Sequence, residues 1–182
     1  LWGKLMHMAD ALLSPGIGGA MWAATAATIL YSARRVQRQL DNKKIPLMGV
    51  LGAFVFAAQM INFAIPGTGS SGHIGGGLLL AILLGPHAAF LTLSSVLTVQ
   101  ALFFADGGLL ALGCNIFNLG FFPCFIAYPF IYKTITRDKP DSRRLALGSI
   151  IAAIIGLQLG SFSVVLQTYL SGITALPLFS FL

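Results

Sequence analysis

The chain contains no glutamate, and its acidic residues stop at Asp10, Asp41, Asp106, Asp138 and Asp141. Asp41, Asp138 and Asp141 stand among lysines and arginines in polar joints and read as ordinary solvated charges. Only Asp10 and Asp106 remain, too few carboxylates for paired acid–base hydrolysis or for a proton relay through a membrane. No phosphate loop, GxSxG or HExxH sequence occurs. Two cysteines, Cys114 and Cys124, lie ten residues apart in one apolar run. On a single helix they turn away from each other, so they read as buried small hydrophobes rather than a disulfide or thiolate site. Histidine is equally scarce, with only His7, His73 and His87. An intramembrane enzyme therefore lacks a nucleophilic or acid–base set.

Apolar residues are what the chain has in excess: 57% are hydrophobic and 9% charged, more than one small soluble core could hide. They arrive in blocks about as long as a membrane helix, separated by short polar joints. A single integral membrane domain over residues 1–182 follows, and it must be an all-α polytopic transmembrane bundle, because every backbone group in lipid has to be satisfied internally. Six spans are expected: about Gly16 to Ala33, Pro46 to Ala64, a short Gly75 to Leu84, His87 to Phe104, Gly108 to Tyr132 and Leu145 to Leu170. The tail SGITALPLFSFL reads as the start of a further hydrophobic element.

The formal charge of +6 points to nucleic acid only if it sits on a polar domain. Instead Arg34, Arg35, Arg38, Lys43 and Lys44 fill one joint, and Lys133, Arg137, Lys139, Arg143 and Arg144 another. Both joints are cytoplasmic by the positive-inside rule. Counting spans from either cluster puts the amino end outside, with His7 and His73 on the outer face and His87, at a Gly-Pro joint, on the other as a structural residue. Ala20-Ala24 and Ala23-Ala27 give the first span small-xxx-small pairs, which suit close packing within the bundle or against a partner protein.

The outer face offers nitrogen. With Met6 as the mature amino terminus, its amine, the His7 backbone nitrogen and His7 Nδ1 can close adjacent chelate rings around one metal. His73, after the flexible GTGSSG, is the other histidine able to reach that plane. Nearly coplanar nitrogens suit Ni²⁺ or Cu²⁺. The competing reading is that His7 is merely interfacial and His73 packs a loop. Gln59 and Asn62 close the second span; Asp106, Asn115 and Asn118 open the fifth, the two asparagines on one helical face. Such amides either knit helices together or orient ligand histidines, and Asp106 either accepts an imidazole N–H or draws cations to the mouth.

MHMADALLSP, FVFAAQMINFAIPGTGSSGHIGGGLLLAILLGPHAAF and VQALFFADGGLLALGCNIFNLG resemble, in order and over almost the whole chain, the cobalt and nickel substrate-capture subunits (S components) of energy-coupling factor (ECF) transporters. The resemblance implies a prokaryotic cell-membrane protein that captures Ni²⁺ or Co²⁺ as transported substrate and has no ATPase activity of its own. Its implied partners are a transmembrane coupling subunit, cytoplasmic ATPase subunits and, in many members, a small accessory membrane protein. It implies Met6, His7 and His73 as metal ligands and Asn115 and Asn118 as supports of the site loops. Nickel is slightly favoured; a cobalt subunit serving cobalamin synthesis and a non-transporting membrane scaffold are the alternatives. Two departures stand out. LWGKL precedes Met6 and must be absent from the mature chain for the amine to be free, and the family implies a seventh helix beyond the six.

Overall fold

The computed structural model describes residues 7–38, 44–64, 71–137 and 141–173. Met6 and the LWGKL segment, Asp41, Lys43, most of the IPGTGSSG loop, Asp138, Lys139 and residues 174–182 lie outside the described residues.

Among the described residues six helices make the bundle: α1 (Pro15–Arg38), α2 (Lys44–Gln59), α3 (Gly77–Leu84), α4 (Pro86–Phe104), α5 (Leu112–Thr136) and α6 (Ser142–Ser171). A single turn at Asp10–Leu12 precedes them. A two-residue antiparallel ladder, β1 (Phe63–Ala64) with β2 (Ser71–Gly72), pairs Phe63 with Gly72 between α2 and α3, a small exception to an all-helical chain. Among the described residues α4, α5 and α6 are long and apolar enough to cross a membrane. Length and hydropathy thus support three of the six expected spans, α4, α5 and α6. The α2 helix is apolar but has 16 residues, α3 has eight, and α1, though 24 residues long, is diluted by Gly, Ala, Thr and Ser.

Local chemistry sets the helix ends. Ser14 Oγ accepts the Ile17 N–H at 3.4 Å, and Pro15 fills the first turn of α1, where its missing donor is harmless. Asp141 caps α6 by accepting the Arg144 N–H at 2.7 Å, so it is a capping residue rather than only a solvated charge. The basic residues ride on helix ends, with Arg35 and Arg38 in the last turn of α1, where they complement the helix dipole.

The core is built around α4, whose Phe90, Leu93 and Leu97 are buried together with Val55 of α2 and Leu80 of α3. On α1 the buried residues are Gly18, Thr25 and Ser32, seven apart, a seam of the left-handed kind. Thr25 Oγ1 donates to Gly113 O at 2.7 Å, and a Cβ on Gly113 would stand 2.9 Å from the Trp22 backbone. The opposite face of α1 leaves Gly16, Gly19, Ala20, Ala23, Ala26 and Ala27 exposed. Small residues therefore line both faces, but the alanines at 20, 23 and 27 do not pack within this chain. A second small-residue seam, Gly148, Ala152, Gly156 and Gly160, seats α6 on α5.

The middle of α5, Phe117–Tyr132, is wound wider than an α-helix; at its end the Lys133 N–H reaches back five residues to Tyr128 O. Pro123 and Pro129 lie inside it and donate nothing, so a regular i→i−4 ladder cannot run through. Cys114 and Cys124 are buried free thiols, as their apolar setting predicts.

Candidate metal centre

The amino-terminal segment is held in place from both sides. Met8 N–H donates to Asn115 Oδ1 at 3.1 Å, and Asn115 Nδ2 donates to Met8 O at 3.2 Å, so one amide side chain grips a backbone as a strand would. Met8 O also accepts the Gly108 N–H at 3.2 Å, and Asp10 Oδ1 accepts the Ala111 N–H at 2.8 Å. The turn that receives the segment needs its glycines. Gly107 has φ +91°, and a Cβ there would stand 3.0 Å from His7 Cβ, while one on Gly108 would strike the Asp10 carboxylate.

This clamp delivers His7 into the protein. The residue is 8% exposed, and its Nδ1 lies 2.9 Å from Asp106 Oδ2. An ionised carboxylate only accepts, so Nδ1 is the donor in this contact, and in the neutral imidazole the lone pair then lies on Nε2. That Nε2 is buried and has no hydrogen-bond partner among the described residues. The His73 ring stands beside it, with centroids 5.0 Å apart and planes tilted by 60°. His73 Nδ1 lies 3.0 Å from Ile74 O, which again places the proton on Nδ1 and leaves Nε2 as the donor nitrogen.

The two imidazoles share a cavity of about 210 Å³. Asn115, Asn118 and Ser161 supply its polar lining, and Met8, Leu119 and Leu157 part of its apolar wall. Asn118 differs from Asn115 in its partner: it exchanges two hydrogen bonds with Gln167 of α6, at 2.8 and 3.0 Å, and so knits helices. Asn62 is half-buried in the turn after α2. His87 lies at the other end of the bundle, between the rings of Tyr31 and Phe125 with Ser32 Oγ 3.4 Å away, and takes no part here.

Of the sequence-predicted residues, His7, His73, Asp106 and Asn115 thus converge, Asn118 lines the same cavity, and Met6 lies outside the described residues. One geometric detail departs from expectation. The chelate needs His7 Nδ1, but that atom is engaged by Asp106, because a buried carboxylate and a buried imidazole satisfy each other. Nothing in the sequence marks Met8, Gly107 or Gly108 as part of the site. Among the described residues no group of three or more His, Cys, Asp or Glu side chains gathers into a metal cage.

Residues 7–182 match the family model described as CbiM, cobalt uptake substrate-specific transmembrane region. The chain belongs to this family. A solved structure, that of a truncated transition metal transporter, aligns with 96% of this chain and 79% of its own, at a TM-score of 0.81 and 34% identity. Among curated relatives, the fused nickel transport protein NikMN of Rhodobacter capsulatus is 37% identical over 153 residues, covering 84% of this chain and 44% of that protein. The cobalt transport protein CbiM of Geobacter sulfurreducens is 30% identical over 168 residues, 91% of this chain and 46% of that protein. The chain spans about half the length of the curated relatives it matches, from 44% to 65%.

Proposed function

We propose that this chain captures Ni²⁺ at the outer face of a prokaryotic cell membrane, as the substrate-specific subunit of an ATP-driven ECF uptake transporter. One observation carries the reading: two imidazoles meet 5.0 Å apart at a cavity, one of them with a buried Nε2 that has no partner among the described residues. A buried nitrogen lone pair without a partner is costly unless a ligand uses it or the ring turns to offer its other nitrogen. The donors would be the Met6 amine, the His7 backbone nitrogen and Nδ1, and His73; for this the imidazole leaves Asp106 and carries its one proton on Nε2, and the His7 amide proton is released to solvent.

Four nitrogens near one plane favour Ni²⁺, and the short side-chain donor set agrees with main-chain nitrogens completing the site. Co²⁺ is the alternative substrate, favoured by the family's description as a cobalt-uptake region. A titration of protein with a free Met6 amine should give one Ni²⁺ per chain and the absorption of a planar nitrogen site. His7→Ala and His73→Ala should each abolish it, and stoichiometric tight binding in both variants would refute the assignment.

Orientation follows from the two ends of α4. Its Gly85-Pro86-His87 start lies beside the basic end of α1, and its far end leads into Asp106 and the histidines. With the basic end cytoplasmic, the site faces outward, α1 to α6 are six passes, and the chain works by uptake. The partners are a transmembrane coupling subunit and cytoplasmic ATPases. The exposed alanine face of α1 is the surface for close helix contact with the coupling subunit. Ala23→Leu should therefore prevent co-purification with that subunit while leaving Ni²⁺ stoichiometry and affinity unchanged in the isolated chain, measured by pull-down and titration on one preparation.

A further inference from the structure

Helices α2 and α4 touch first at Gly52, where an added Cβ would stand 3.1 Å from Thr92 Cγ2. Two turns nearer the histidines the same faces carry Gln59 and Gln100, both wholly buried. Gln100 Nε2 donates to Gln59 Oε1 at 3.0 Å, and Gln59 Nε2 donates to Gly75 O at 3.0 Å. One turn before Gln59, Val55 packs under Gly76, whose φ of +76° brings the backbone so close that a Cβ would lie 2.5 Å from Val55 Cγ1. The residues that follow His73 are thus fixed to α2 at two points.

The same amides lead to the other histidine. The main-chain oxygen of Gln100 accepts the Ala105 N–H and, at 3.2 Å, the Asp106 N–H, which closes the end of α4. Asp106 in turn holds His7 at 2.9 Å. The link has two parts: the Gln100 main-chain oxygen holds the turn that carries Asp106 and, through it, His7, while the Gln100 side chain leads through Gln59 to Gly75, two residues from His73. We infer that Gln59 and Gln100 are positioning residues that set the separation and tilt of the two imidazoles, and hence the geometry of metal capture.

Simple knitting of two helices would explain the Gln59–Gln100 bond alone. It does not explain why the Gln59 donor is spent on a loop carbonyl beside a histidine, nor why Gln100 Oε1 stays buried with no hydrogen-bond partner among the described residues. The inference rests on His7 and His73 being donors, so His73→Ala is the reference variant.

The test is Ni²⁺ titration, ligand-field absorption and metal-free thermal unfolding of the protein with a free Met6 amine, with Gln59→Met, Gln100→Met and the double variant. Gln59→Met should weaken Ni²⁺ binding by about tenfold or more and move the absorption toward that of His73→Ala. Gln100→Met should do less, since it acts through Gln59. The double variant replaces the amide pair by two apolar side chains of similar length, so it should regain most of the thermal midpoint lost by Gln59→Met. It should not regain affinity or spectrum, because Gly75 O stays untethered. Wild-type affinity and spectrum in the double variant would show the pair to be helix packing only. Wild-type binding by Gln59→Met, with His73→Ala inactive, would overturn the inference while leaving the site intact. Wild-type binding by His73→Ala would remove the site and this inference with it.

Discussion

A chain that begins at Met6 should bind Ni²⁺ about 100-fold or more tightly than the same chain with residues ahead of Met6, a difference of ~2.7 kcal/mol. The reason lies in the donor atoms. A free amine frees its lone pair by shedding a proton at only mildly basic pH, whereas the same nitrogen in a peptide bond is planar, delocalised and gives up its proton far less readily. Losing that donor also opens the chelate ring it shares with the His7 backbone nitrogen. With two imidazoles and one amide left, the metal fills its coordination sphere with water and the planar field weakens. Competitive titration with a colorimetric chelator gives the affinities, and absorption gives the geometry. Equal affinities in the two chains would take the amine out of the donor set and leave the histidines to be completed by another group.

Asn115→Leu is expected to have the next largest effect. The substitution keeps the bulk of the side chain but withdraws its grip on Met8, leaving a main-chain N–H without the partner it holds at 3.1 Å and weakening the hold on its carbonyl. Each buried backbone group so deprived costs ~1–3 kcal/mol. The Met8 carbonyl keeps its bond from Gly108, so the loss falls mainly on the N–H and on the tie itself. His7 immediately precedes Met8, so freeing the segment lets the imidazole leave its place beside His73. Thermal unfolding should show a lowered midpoint without metal, and titration a Ni²⁺ affinity reduced by about 100-fold. Asn118→Leu makes the contrast. It should cost stability through Gln167 yet change affinity much less, because Asn118 grips a helix and not the histidine segment.

The bundle was legible where physics acts along the chain. Apolar blocks, the Ser-Pro start of α1 and the two basic clusters are local signals, and they located the helix ends to within about five residues, the far ends of α1 and α2 being the widest misses. Span number was harder to read, since crossing a membrane depends on length and hydropathy that α2, α3 and the alanine-rich α1 do not clearly reach. The site was legible in its rare residues: with three histidines and two outer aspartates, few combinations exist, and His7, His73 and Asp106 do converge. What stayed hidden was pairing across the fold. Gln100 is one amide in the run PHAAFLTLSSVLTVQALFF, with nothing beside it to mark a role. A signal was present all the same. Gln59 and Gln100 each sit near the same end of an otherwise apolar helix, and two amides at one depth in lipid seek each other. An imidazole N–H contact is one of the two roles open to Asp106 in the sequence; that it falls on His7 Nδ1 depends on where Asp106 is carried by a turn whose non-glycine Ala105 adopts φ +51°.

The contact between His7 Nδ1 and Asp106 bears on which ions gain entry. An arriving cation finds the chelating nitrogen occupied, and on the proposed donor set it must exchange itself for a carboxylate before it can settle. Mg²⁺ and Ca²⁺, which favour oxygen and bind imidazole weakly, gain too little from nitrogen to make that exchange. Ni²⁺ and Co²⁺ recover more from the nitrogens than the displaced contact gives up. Every ion meets that same cost, so it lowers all affinities alike, and on the proposed donor set the preference for Ni²⁺ and Co²⁺ over the abundant oxygen-seeking ions would come from the nitrogens themselves.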